Sequence, residues 1–305
     1  MRLLHLTMIA AMLATPALAQ KPAINLTGAI DMHVHQGPDS GGPREIDADD
    51  LARLAQKSGM RGLVMKNHWE STSAMAYLMR KQAPGLEIFG GITQDIAVGG
   101  MNLAAVKQMA DVAGHYGRVV WLPTYDSEIS VRHADGKGEG PYVPIQKDGK
   151  LLPSVLELFD FIGKNKLVLA TGHISTQEVL MVIPEARRHG VQHIVVTHIN
   201  PLNVTVPQMQ QMARDGAKIE FVYASTLGPT TQLKVRNFAD AIRAVGAGNF
   251  ILSTDLGGTP RNFPRPMPPQ GLLDFMNALN REGISVADIN IMAKTNPAVM
   301  LELKP

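Results

Sequence analysis

Two histidines one residue apart, His33-Val34-His35, close an apolar run. Alternation along an extended chain points both imidazoles to the same side, the one expected to face the interior of the fold. Three later runs finish on residues of matching chemistry: Leu167–His173 on His173, His193–His198 on His198 and Phe250–Asp255 on Asp255. Neutral imidazole and carboxylate are the ligands that Zn²⁺ and related divalent ions prefer. The set His33, His35, His173, His198 and Asp255 therefore reads as a metal centre. A lone histidine is more often a packed or solvated residue than a ligand, but here four run ends agree. The other histidines act as an internal control. His115 and His189 fall at helix ends, where a cation suits the dipole, His133 lies in a long loop, His193 starts a strand and His5 stands near the start of the chain.

Other residues near the run ends are candidates for a pocket. Lys66 lies in Val64-Met65-Lys66-Asn67-His68, an apolar setting in which an unpaired ammonium is costly to bury. His68 and Trp69 follow the same run, and Tyr125 follows the fourth. Arg261 and Arg265 lie in the Pro-rich stretch Thr259–Pro269. Guanidinium suits a carboxylate or phosphate, and so an anionic small-molecule substrate. It suits a solvated loop equally well. Tyr223 is as compatible with packing as with a substrate.

Elements that could gather these residues recur through the chain. Eight runs read as buried parallel strands: Ala29–His35, Gly62–Asn67, Glu87–Thr93, Val119–Thr124, Leu167–His173, His193–His198, Lys218–Tyr223 and Phe250–Asp255. Helical patterns alternate with them, over Asp47–Lys57, Asn102–His115, Ser175–His189, Val206–Asp215 and Thr231–Val245. Ser175 with Glu178 forms a capping box. Repeated strand–helix units imply right-handed crossovers, and eight of them predict a single-domain (β/α)8 barrel. No glycine-rich dinucleotide fingerprint follows the first strand. Catalytic groups of such barrels stand at the carboxyl ends of the strands, where the histidines are. Residues 126–152 form a longer Gly/Pro-rich insertion, with a hairpin expected over Val143–Leu151 turning at Asp148-Gly149. It reads as a lid or as a solvated loop.

Composition sets the outer limits. The chain has 305 residues, 45% hydrophobic, with 28 Gly and 20 Pro, as in an ordinary globular enzyme. Lys+Arg number 29 against 27 Asp+Glu, and no basic run suggests a nucleic-acid partner. With no Cys, disulfides and thiolate metal sites are excluded. Arg2, the apolar stretch Leu3–Leu13 and Ala17-Leu18-Ala19 have the order of a signal peptide. Residues 1–19 are expected to be removed on export to the periplasm, leaving a domain over 20–305. The apolar stretch is too short to span a membrane in the mature chain.

The ordered set resembles the amidohydrolase superfamily. His33-x-His35 on the first strand, His173 on the fifth, His198 on the sixth and Asp255 on the eighth match its metal and catalytic positions. Thr295-Asn296-Pro297-Ala298-x-x-Leu301 resembles its closing helix. The resemblance covers nearly all of the chain beyond residue 19. Thr171-Gly172-His173-Ile174-Ser175 followed by Thr197-His198-Ile199-Asn200-Pro201 looks like an uncharacterised branch of it. The resemblance implies a metal-dependent hydrolase that cleaves a small amide, ester, lactone or related bond with activated water. His33, His35 and His173 would hold a divalent ion, with zinc the expected metal. His198 would serve a second ion or the water, and Asp255 would take the proton.

One departure leaves the metal count at one or two. Many members carry a bridging lysine carbamate or glutamate on strand four, which here ends Trp121-Leu122-Pro123-Thr124-Tyr125-Asp126. Lys66 on strand two would be either a bridging carbamate or an ammonium that holds an anion. The alternatives are a mononuclear decarboxylase or hydratase of the same superfamily and a non-catalytic binding protein. Asp255 argues against the last, since a pure binder needs no proton shuttle.

Overall fold

A buried strand must pair its backbone groups on both sides, and a closed sheet does this without leaving an edge. In the computed structural model, which describes residues 23–133 and 136–304, eight strands pair in parallel in chain order. They are β1 (Ile30–His35), β2 (Gly62–Lys66), β3 (Glu87–Thr93) and β4 (Gly117–Trp121), then, after the antiparallel hairpin β5 (Gln146–Lys147) and β6 (Lys150–Leu151), β7 (Val168–Ala170), β8 (His193–Val196), β9 (Lys218–Val222) and β10 (Phe250–Ser253). The ring closes where the chain leaving β10 meets β1. His35 N donates to Leu256 O and Asp255 N to His33 O, both at 2.8 Å. The fold is the (β/α)8 barrel expected from the sequence. The expected leader, residues 1–19, lies outside the described residues. No helix among the described residues is long and apolar enough to cross a membrane.

Two layers of apolar side chains hold the barrel. Ile30, Met32, Val64, Phe89, Trp121 and Ile251 cluster inside it, and Ala298 and Met300 of the last helix, with Leu301 just after it, pack against them. Outward-facing Leu63, Met65, Val120, Leu169, Phe221 and Leu252 meet the helices. The helix Val235–Val245, for example, sets Phe238 against Phe221 with ring centroids 4.3 Å apart. The capping box of Ser175 and Glu178 is formed at the start of the helix Thr176–Arg188. Asn296 of the closing helix donates to Phe250 O at 2.7 Å and to Gly248 O at 3.1 Å. It thereby ties that helix to the start of β10.

Several strands are shorter than the apolar runs. β7 stops at Ala170, β8 at Val196 and β10 at Ser253. His173, His198 and Asp255 thus stand in turns just past the strands. The cause is local backbone geometry: Gly172, His198 and Asp255 have φ of 63°, 30° and 54°. Such values leave the ladder, and non-glycine residues adopt them at a cost of about 1–3 kcal/mol, typically at functional sites. Gly172 could not be replaced freely, because a Cβ there would lie 2.2 Å from Leu122 O. The helix expected over 102–115 spans Leu103–Asp111, and that expected from Thr231 starts at Val235. The insertion hairpin turns at Asp148-Gly149 with both φ positive, 52° and 75°, as a two-residue hairpin favours. Ile145 anchors it in the core.

Candidate metal centre

The placement of the two first-strand histidines depends on a bulge. Ile30 and Met32 face the barrel interior, so strict alternation would send His33 outward. A register shift between Asp31 and Val34 resets the alternation. Val34 then packs in the outer layer, and His33 and His35 flank it on the inner side. Their rings lie 5.3 Å apart.

Asp255 meets both histidines. Its Oδ1 lies 2.9 Å from His35 Nε2 and 3.2 Å from His33 Nε2. Ligand atoms of His33, His35 and Asp255 all fall within 4.8 Å of one another. On its other side, His33 Nδ1 lies 3.1 Å from Glu220 Oε2. An ionised carboxylate only accepts, so Nδ1 carries the hydrogen and Nε2 presents a bare lone pair. That Nε2 is buried and has no hydrogen-bond partner, and it faces a carboxylate oxygen. Two acceptors in such contact fit a cation between them, and the donor set of two imidazoles and a carboxylate fits a divalent one.

The remaining candidates line a cavity of about 400 Å³ above this trio, among them Lys66, His68, His173, His198, Tyr125 and Arg261. His173 and His198 have ring centroids 4.7 Å apart, and His198 stacks on His33 at 5.9 Å. His173 is set by its backbone N–H, which donates to Pro123 O at 2.9 Å. The Lys66 ammonium lies 5.7 Å from the Trp121 ring centroid. His68 stacks on His35 at 5.2 Å and packs on Tyr125 at 4.2 Å. Its Nδ1 is 2.7 Å from Thr124 Oγ1, and that hydroxyl donates to buried Asp95. With its single hydrogen so used, Thr124 accepts from His68, which leaves His68 Nε2 free. Arg265 also lines the cavity but is paired with Glu45 at 2.7 Å. Trp69 stacks on Tyr125 at 5.6 Å. Tyr223 stacks on Phe275 at 5.4 Å and so belongs to the packing. Among the described residues of 126–152, none lines the cavity.

Burial tunes the titratable groups. It pushes His35 down to about 4, against the pull of Asp255. His68, His173 and His198 are also lowered chiefly by burial. These four imidazoles are thus neutral and available as ligands near pH 7. Burial alone would raise Asp255, but His33, His35 and His198 outweigh it and hold the carboxyl well below its usual range. Lys66 is lowered by burial, opposed by Asp255, Glu220 and Asp95.

Four residues of the site escaped the reading of the sequence. Glu220 orients His33 and also accepts the His198 backbone N–H at 3.2 Å. Asp31 accepts from Thr254 N at 3.1 Å and Thr254 Oγ1 at 2.6 Å, which fixes the turn carrying Asp255. Asp95 braces Thr124, and Arg44 lines the cavity. For Asp31 and Glu220 a signal exists: each is an acid inside an apolar strand, the same cost that singles out Lys66.

The chain is thus a (β/α)8 barrel with a histidine–carboxylate cluster at the carboxyl ends of its strands. An organophosphorus hydrolase from Deinococcus radiodurans superposes with a TM-score of 0.61 at 15% identity, covering 90% of this chain and 92% of that one. An amidohydrolase from Pseudomonas aeruginosa superposes with a TM-score of 0.57 at 12% identity, over 90% and 96%. At these identities the likeness is one of fold. In sequence, the chain belongs to the family described as a family of unknown function (DUF6282), whose model matches residues 28–220. No curated protein matches it in sequence.

Proposed function

We propose that the chain is a metal-dependent hydrolase that adds water across a small amide, ester, lactone or related bond. The observation that carries this reading is the buried, unpartnered His33 Nε2 facing Asp255 beside His35. His33, His35 and Asp255 would hold a divalent ion, with His173 and His198 beside them; zinc is the expected metal. A divalent ion in such a site supplies Lewis acidity and brings the ionisation of water to near pH 7. Asp255, kept ionised by its histidine neighbours, takes the proton from the attacking water and returns it to the leaving group. Neutral His198 offers a ring N–H to the oxygen of the scissile bond. Glu220 keeps the His33 hydrogen on Nδ1, so its Nε2 lone pair faces the centre.

The fold neighbours support the class rather than the bond. One is an organophosphorus hydrolase and another derives from a weak promiscuous lactonase template, so esters, lactones and phosphotriesters are the first substrates to assay. Asp255→Asn is the test. The amide oxygen can still approach a metal, but the group cannot accept a proton at neutral pH. Hydrolysis by the zinc-loaded variant should fall by roughly 10²–10⁴-fold with most metal retained; full activity would remove Asp255 from the reaction.

The reading extends to location. The order of charge, apolar run and Ala17-Leu18-Ala19 supports export to the periplasm with removal of residues 1–19. Sequencing of protein recovered there should begin near Gln20, and an intact Met1 would contradict it.

A further inference from the structure

Arg44 and Arg265 both line the cavity, and both are already committed. Arg44 Nε donates to Asp39 at 2.7 Å, with a second contact from Nη2 to the same oxygen, and the side chains are 5% and 1% exposed. Arg265 meets Glu45 at 2.7 Å and 3.1 Å. The two guanidinium groups converge on Thr259: Arg44 Nη1 donates to its hydroxyl at 2.7 Å and Arg265 Nη2 to its carbonyl at 2.9 Å. A backbone bond from Glu45 N to Gly258 O at 3.1 Å joins the same two loops. Charge-assisted pairs of this kind are short and directional. They clamp the loop that follows Asp255 onto the loop that follows β1.

The clamped loop carries one more guanidinium. Arg261 lies between Thr259 and Arg265, lines the same cavity and is exposed. Among the described residues no carboxylate lies within ion-pair distance of it. The charges of the lining confirm the asymmetry. Arg44 and Arg265 are neutralised by Asp39 and Glu45. Lys66 and Arg261 then face one lining carboxylate, Asp255, which is already engaged by His33 and His35. Arg261 is therefore the lining guanidinium that the described carboxylates leave unmatched, and the cavity's volume of about 400 Å³ suits a small molecule.

We infer that Arg261 is the residue that reads the substrate, and that the substrate is a small molecule bearing an oxyanion, a carboxylate or phosphate, away from its scissile bond. Arg44 and Arg265 are positioning residues that hold the Arg261 loop in place. A guanidinium presents paired N–H groups to such an anion, and a loop clamped at both ends loses little freedom on binding. The placement of the scissile bond rests on the hydrolase reading; the anion site itself does not.

Calorimetric titration of the zinc-loaded chain with glutarate and with inorganic phosphate tests the anion site. At least one should bind, with affinity reduced tenfold or more in Arg261→Ala and partly restored in Arg261→Lys. Absence of binding by both probes, or binding unchanged in Arg261→Ala, which would send the anion to the metal or to Lys66, overturns the inference. Paired esters then separate it from the hydrolase reading. Mono-p-nitrophenyl glutarate should be preferred over p-nitrophenyl butyrate in kcat/KM, and Arg261→Ala should collapse that preference, mainly through KM. Hydrolysis of both esters without preference defeats the anion site and leaves the hydrolase. Arg261-dependent glutarate binding with neither ester cleaved defeats the hydrolase for this bond class and leaves the anion site.

Discussion

His33 Nδ1 lies 3.1 Å from Glu220 Oε2, and this contact decides which His33 nitrogen can hold a metal ion. The same carboxylate oxygen accepts the backbone N–H of His198, whose φ is 30°. One buried side chain on β9 thus orients a ligand on β1 and supports a strained turn after β8.

Removing such an outer partner typically weakens metal affinity by about 10–100-fold. Glu220→Ala is expected to fall in that range, measured by competition with a chelator. Glu220→Gln should lose less, because its amide oxygen can still accept from Nδ1. Unchanged affinity in Glu220→Ala would show that His33 needs no such support.

This relation marks the limit of what the sequence discloses. The order of apolar runs and the types of residue at their ends made the barrel and His33, His35, His173, His198 and Asp255 legible. The bulge between Asp31 and Val34 was not: the expected inward placement of His33 and His35 is reached only because a register shift resets the alternation that Ile30 and Met32 begin. The strands end early for a similar reason: a positive φ at His198 or Asp255 has no signature in residue type. Arg265 shows the opposite failure. Its charge suits a substrate anion, but its partner Glu45 is 220 residues away in the chain and is brought near only by closure of the barrel.

Lys66 separates two chemical states. It is buried at the cavity lining with no hydrogen bond to a protein group among the described residues. Lys66→Ala should damage activity more than thermal stability, because the group faces the cavity and not the packed core. Lys66→Glu tells a bridging carbamate from an ammonium. Recovery of metal with partial activity favours the carbamate; complete loss of activity with metal content unchanged favours the ammonium. Wild-type activity in Lys66→Ala would leave Lys66 a structural residue.

The neutral imidazoles predict how the metal-free chain responds to acid. His35, His68, His173 and His198 all bind protons less readily folded than unfolded. Their stabilisation is full above the ordinary histidine value of 6.5 and is lost as pH falls below it. His35 alone, moving from 6.5 to about 4, accounts for roughly 3 kcal/mol by pH 4. Asp31, raised by burial to about 7, and Asp95, also raised by burial, act in the opposite sense, but as two groups against four. The Tm of metal-free protein should therefore drop steadily between pH 6.5 and 4. A flat or rising Tm over that interval would mean that these histidines are charged in the folded chain.

The central claim is that His33, His35 and Asp255 form a divalent metal centre at the carboxyl ends of the strands. Anomalous diffraction at the zinc edge, from crystals grown with zinc, tests it most directly. The account predicts a peak within about 2.1 Å of His33 Nε2 and of a ring nitrogen of His35, with an Asp255 oxygen completing the set. A peak confined to surface histidines such as His115 or His189, or no peak at this site in zinc-saturated crystals, would contradict it.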